Sequence, residues 1–261
     1  MKSQLRNLAL ALCSLFFIPG AGAAVTYNDL WYIPAEDGWG VTIAQQGKTL
    51  FLTFFVYGTD SKPTWFVATL EQTGTGASGL PVFTGTVYTT TGPWFGGPYN
   101  TPYAYREAGT ASFLPSSATA AVLEYTVNRV PVRKSVQRQT LTADNLTGTY
   151  TVMTQQTQTC PGVPPVTEVL VDDVVIQHSA GQFSYVQGSP GDRCTLAGSW
   201  VQNGVVGSAS GTLTCDDGLS GTFNIDGVIT NAVGFTATYT ATGKLGAFTC
   251  TLSGIVNGTR R

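Results

Sequence analysis

Gly40-Val-Thr-Ile-Ala-Gln-Gln-Gly-Lys-Thr-Leu-Phe-Leu-Thr-Phe-Phe-Val-Tyr57 decides the fold class. Over Gly40 to Gln45 apolar and polar residues alternate, as in a strand with one face toward a core, and Gln46-Gly47-Lys48 turns into a second strand, Thr49 to Tyr57. Gly58-Thr-Asp-Ser-Lys-Pro63 then leads into Thr64 to Leu70, completing a three-stranded meander. Working outward, strands are expected at Pro81 to Thr90, Gly109 to Leu114, Ala118 to Val127 and Val130 to Gln139, with Asn128-Arg129 as a hairpin turn. Along Thr49 to Tyr57 one face holds Leu50, Leu52, Phe54 and Val56, and the other Phe51, Thr53, Phe55 and Tyr57. Both faces are apolar, so the strand is expected to be covered on both sides. Trp65 and Phe66, on opposite faces of the next strand, say the same. A barrel covers one face; the other needs a second domain, a loop or a partner.

Composition changes near residues 140 to 145. Nineteen aromatic residues lie between Val25 and Thr140 and eight beyond, and charge moves from seven acidic against seven basic to eight against four from Asp144 onward. Eight strand-like segments follow, at about 147–158, 168–178, 181–187, 193–202, 205–215, 219–226, 232–240 and 245–256, joined by hairpin signals such as Asn203-Gly204 and Asp216-Asp217-Gly218. The fold class is therefore all-β, with two antiparallel β-barrel or β-sandwich domains in tandem, 24–142 and 143–261.

Residues 1–23 read as a cleavable leader: Lys2 and Arg6, an apolar run from Leu8 to Ile18, then small residues to Ala24. Leu12 before Cys13 argues against lipid attachment, so the expected product is exported, periplasmic or extracellular, without membrane insertion. Cys160, Cys194, Cys215 and Cys250 then form an even set suited to two disulfides, and their wide spacing argues against zinc. Strand alternation places Cys160, Cys194 and Cys215 near one end, and closure would bring Cys250 beside Cys160. That favours Cys194 with Cys215 and Cys160 with Cys250, with two other connectivities open. The acidic balance argues against nucleic acid. The basic cluster Arg129, Arg133, Lys134 and Arg138 reads as the solvated face of a hairpin strand whose other face carries Val130, Val132 and Val136.

Asp29-Leu-Trp-Tyr-Ile-Pro-Ala-Glu-Asp-Gly-Trp-Gly-Val-Thr-Ile-Ala-Gln-Gln-Gly47, with Phe54-Phe-Val-Tyr57 and Lys62-Pro-Thr-Trp-Phe66, resembles a domain that recurs in secreted and periplasmic proteobacterial proteins. The resemblance covers about residues 28–140 and implies export and a β-fold, with no named activity. The second half, with Gly207-Ser-Ala-Ser-Gly211 and its Cys194/Cys215 hairpin, is similar to a β-domain of such proteins. Leu146-Thr-Gly-Thr-Tyr150 has a short likeness to the opening strand of avidin-like and lipocalin-like barrels.

No catalytic or metal-binding set stands out, and no cofactor is implied. His178, the one histidine, has no nucleophile motif near it and reads as a strand-end surface residue. Glu36 and Asp37, beside Trp39, could form a hydrolytic carboxylate pair, against the plainer reading of a turn entering a strand. Asp172-Asp173 suits a turn or exposed strand. The strongest hint is the Gly/Pro-rich segment Thr91 to Tyr105, which carries Trp94, Phe95, Tyr99, Tyr103 and Tyr105. It can serve as a lid on the apolar outer face or as a stacking platform for carbohydrate or a small apolar ligand. The expected ligand surface is Trp39, Trp65, Trp94, Phe95, Tyr99 and Tyr103, on a non-catalytic binding or accessory protein. The alternative is a structural or protein-interaction module.

Overall fold

The computed structural model describes residues 25–261 apart from 101, 180, 246 and 247, so the leader lies outside the described residues. The described residues are all-β, and none forms a helix long and apolar enough to cross a membrane. Two closed antiparallel barrels follow one another, each of eight strands paired in sequence order. The first comprises β1 (Asp29–Tyr32), β2 (Gly40–Gln46), β3 (Thr49–Tyr57), β4 (Pro63–Thr75), β5 (Pro81–Thr91), β6 (Ala104–Pro115), β7 (Ala120–Val127) and β8 (Val130–Arg138). The second comprises β9 (Gly148–Thr159), β10 (Val166–Ser179), β11 (Gln182–Gln187), β12 (Cys194–Asn203), β13 (Val206–Cys215), β14 (Ser220–Asn231), β15 (Gly234–Leu245) and β16 (Phe248–Arg260). Barrels prevail over sandwiches because first and last strands pair, Trp31 with Arg138 in one and Tyr150 with Arg260 in the other.

Rings fill the first barrel. Tyr27, Trp31, Phe83 and Phe113 meet edge-on or tilted at 5.0 to 6.4 Å, and Phe54 leans on Tyr125 at 5.0 Å. The short strand β1, absent from the sequence reading, supplies Trp31 to this core. Of the covers expected for the outer face of β3, neither the second barrel nor the loop supplies one. Phe51, Phe55 and Tyr57 are 46%, 50% and 56% exposed on the outer face, beside Trp65 at 52%. The predicted lid does not reach them, because β6 already begins at Ala104 and the remaining loop turns on itself. Gly97 N–H donates to the Trp94 carbonyl, and Trp94 packs on Phe95.

The basic strand face is also revised. On β8, Lys134 and Arg138 share the inward parity of Val132 and Val136, and Arg138 is 1% exposed. Its guanidinium donates to the carbonyls of Ala118 at 2.7 Å, Asn28 at 3.0 Å and Thr26, pairs with Asp29 at 3.2 Å, and lies 4.9 Å from the Trp31 ring centre. Burial disfavours the Arg138 charge, and the Asp29 carboxylate opposes that effect. The same Asp29 oxygen accepts the Val205 backbone N–H at 2.9 Å, from the β12–β13 turn of the second barrel. That turn comes so close that a Cβ at Gly204, which has φ +62°, would lie 2.0 Å from the Asp29 carboxylate and 2.7 Å from Arg138 Cβ. Only glycine fits both the backbone angle and the gap.

In the second barrel, Gly198 and Gly211 pair across β12 and β13, each where a Cβ would strike the neighbouring strand's backbone near 2 Å. The strands coil tightly there. The disulfides are Cys160–Cys250, joining the ends of β9 and β16, and Cys194–Cys215, joining β12 and β13 in register. This is the connectivity that strand alternation favoured.

Arg138→Leu strands a buried carboxylate, so urea unfolding should show a loss of about 3–5 kcal/mol, whereas Arg133→Leu, from an exposed pair with Glu124, should cost at most about 1 kcal/mol. The disulfides close segments of 90 and 21 residues. Serine replacement of Cys160 and Cys250 should therefore cost about 1.3 kcal/mol more than replacement of Cys194 and Cys215 if unfolded-chain entropy governs.

Candidate functional site

Every residue of the expected ligand surface lies at or near the end of the first barrel that points away from the second, where β3 ends, β4 begins and β5 turns into β6. The structure does not unite them into one pocket. Trp39 is half-buried against the core, its Nε1–H donates to the Tyr125 hydroxyl at 3.3 Å, and Lys134 Nζ sits 5.7 Å from its ring. It closes the barrel end. Trp65 stands on the outer wall, while Trp94, Phe95, Tyr99 and Tyr103 project from the loop, Phe95 at 96% exposure. Glu36 is ion-paired with Lys134, and Asp37 lies exposed beyond it. A paired Glu36 next to a solvated Asp37 does not make an acid-and-base couple across a cleft.

His178 does sit at a strand end, half-buried, but its ring turns inward and not to solvent. Its ring packs 4.8 Å from Trp200, Nδ1 accepts the Leu146 N–H at 3.4 Å, and burial holds its pKa down against the opposing charge of Asp144. With Tyr150, Phe183, Trp200, Phe223 and Phe235, it plugs the end of the second barrel nearest the first.

Beyond that plug the second barrel is hollow. A cavity of about 210 Å³ runs inside it, with lining residues from all eight strands. Its floor is Ile176, Phe183, Val228 and Val256; higher up come Leu170, Leu196, Leu213, Ala241 and Leu252. Burial falls along the strands toward the disulfide end, from Val174, Ile176 and Ala237, which are buried, to Leu170, Leu196, Ala241 and Leu252, which are partly exposed. The cavity therefore opens at the end away from the first barrel, with both disulfides at the rim. By liquid volume it would hold about seven waters, and an apolar space of this size suits a single ring with a short chain.

Two hydrogen-bonded chains cross the upper wall. Tyr239 OH donates to Gln156 Oε1, and Gln156 Nε2 donates to Glu168 Oε1 at 2.7 Å. Tyr185 OH donates to Gln187 Oε1 at 3.4 Å, and Gln187 Nε2 donates to Asp172 Oδ2 at 3.1 Å. Asp172 shares the inward face of β10 with Leu170, Val174 and Ile176, while Asp173 faces out and pairs with Arg261 at 2.7 Å. The reading of Asp172-Asp173 as a turn or exposed pair thus holds for Asp173 only. The sequence did carry a signal for this wall: Gln156, Glu168, Asp172 and Gln187 interrupt inward faces that also carry Tyr150 and Val152, Leu170, Val174 and Ile176, and Phe183 and Tyr185.

Burial pushes the Tyr239 hydroxyl up to about 12, with Glu168 adding to the effect, and raises Tyr185 for the same reason, Asp172 adding. Both phenols stay neutral and donating across the physiological range. A raised phenol pKa gives stability that is present below pH 10 and lost as pH climbs through the folded value. Urea stability should thus fall between pH 10 and pH 12, and Tyr239→Phe should flatten that fall. Comparison of the chain with family models, with curated proteins and with solved structures gives no match.

Proposed function

We propose that this chain is a non-catalytic binding protein, and that the cavity of the second barrel takes a small, mainly apolar ligand. The observation that carries this reading is the hollow itself. The two barrels have the same strand number and topology, yet one is filled by rings and the other keeps about 210 Å³ open to one end. Interiors are otherwise packed to near-crystalline density, so an open apolar chamber represents stabilisation forgone. Two disulfides agree with an oxidising, exported setting, as the leader-like segment implies.

A second reading rests on a separate observation. The outer wall and loop of the first barrel display Phe51, Phe55, Tyr57, Trp65, Trp94, Phe95, Tyr99 and Tyr103 to solvent. An exposed ring cluster of this kind marks a contact surface for a carbohydrate or a protein partner. The two roles are compatible, because the surfaces lie at opposite ends of the strand arrangement.

Calorimetric titration with neutral 2-phenylethanol distinguishes them. The native chain should give saturable binding. Ala241→Phe places a ring inside the chamber and should weaken binding at least about tenfold. Trp94→Ala and Tyr99→Ala should leave it unchanged. Equal binding by the native chain and Ala241→Phe would remove the cavity from consideration.

A further inference from the structure

We infer that the ligand of the second barrel ends in a protonated amine, with its apolar body in the chamber and its charged head at Asp172. The inference rests on the cavity reading and adds the chemistry of the head group. Both hydrogen-bonded chains of the upper wall run in the same sense, tyrosine to glutamine to carboxylate. Each glutamine turns its carbonyl to a phenol and its amide N–H to an acid, so each chain ends on a carboxylate with unused acceptor capacity. The ion pairs of the described residues engage Asp29, Glu36, Asp60, Glu124 and Asp173, and neither Asp172 nor Glu168. Asp172 does not itself line the cavity; it stands on the inward face of β10 between the lining residues Leu170 and Ile176 and accepts from the lining residue Gln187. An uncompensated carboxylate directly behind an apolar wall favours a cation at that wall and repels an anion, more strongly than it would in water.

Position separates the two acids. They lie four residues apart on one face of β10, roughly 13 Å by strand rise, with the lining residue Leu170 between them. Asp172 is the deeper and is half-buried; Glu168 is exposed at the lip. The deeper charge is less screened and anchors the head, while Glu168 attracts the cation as it enters. This end also carries Asp192, Asp216 and Asp217 in turns against Arg193 and, near the end of β15, Lys244, which gives the mouth the same sign.

The test is a matched series on the full chain at pH 7 and low salt: 2-phenylethylamine, 2-phenylethanol and 3-phenylpropanoate, titrated calorimetrically. The amine should bind about tenfold more tightly than the alcohol, and the carboxylate about tenfold more weakly. Asp172→Asn should abolish the amine's advantage and leave alcohol affinity within about twofold, whereas Glu168→Gln should reduce that advantage only in part. In the native chain, raising salt from about 20 mM to about 500 mM should shrink the amine's advantage without moving the alcohol, a readout that needs no variant to fold. Alcohol binding with no preference for the amine, or a preference that survives both substitutions, overturns the head-group assignment and leaves the cavity reading standing. Failure of all three compounds to bind overturns both.

Discussion

The buried pair of Arg138 and Asp29 holds three parts of the structure in one place. Arg138 is the last residue of β8 and pairs in register with Trp31 of β1, so its guanidinium sits where the first barrel closes. It satisfies carbonyls of the entering chain at Thr26 and Asn28 and of the β6–β7 connection at Ala118. Asp29 then passes the connection onward, because the oxygen that meets Arg138 also accepts Val205 N–H from the second barrel. A hydrophobic contact could close the barrel without direction. A charged fork with fixed acceptors sets both the register of the closing strands and the seating of the next domain.

The same pair shows where sequence reasoning stops. Period-2 alternation, turn residues and cysteine placement are local properties, and they located most strands and the disulfide connectivity. Arg138 carries a charge, and in sequence a charge at a strand end reads as solvated; its burial depends on three carbonyls from segments about 20 and 110 residues away. His178 fails for the same reason, since Leu146 and Trp200 are its environment. On β3 the limit is different in kind. Two apolar faces on a strand do not require two covers from the same chain: the outer rings of β3 lie beside Trp65 as part of an exposed cluster, and the loop that could have reached them folds on its own Trp94.

The cavity was legible in part. Eight strands give both barrels a similar bore, so the volume of inward side chains decides whether the bore is filled. Nineteen aromatic residues lie between Val25 and Thr140 and eight beyond, a contrast visible in the sequence that marks a domain boundary. Its physical meaning is that the first barrel has rings enough to pack through its length. The second has enough to plug one end.

That asymmetry also accounts for the disulfides. At the plugged end, Tyr150, Phe183, Trp200, Phe223 and Phe235 hold strands together through packed rings and shared burial. Among the described residues no such ring cluster stands at the open end, where side chains face a chamber and lose the contacts that a filled interior would give. Strand ends left to backbone hydrogen bonds alone would fray. Cys160–Cys250 and Cys194–Cys215 tie β9 to β16 and β12 to β13 at this end. Covalent links thus stand where packing is absent, and they keep the mouth in shape without occupying the volume that a ligand needs.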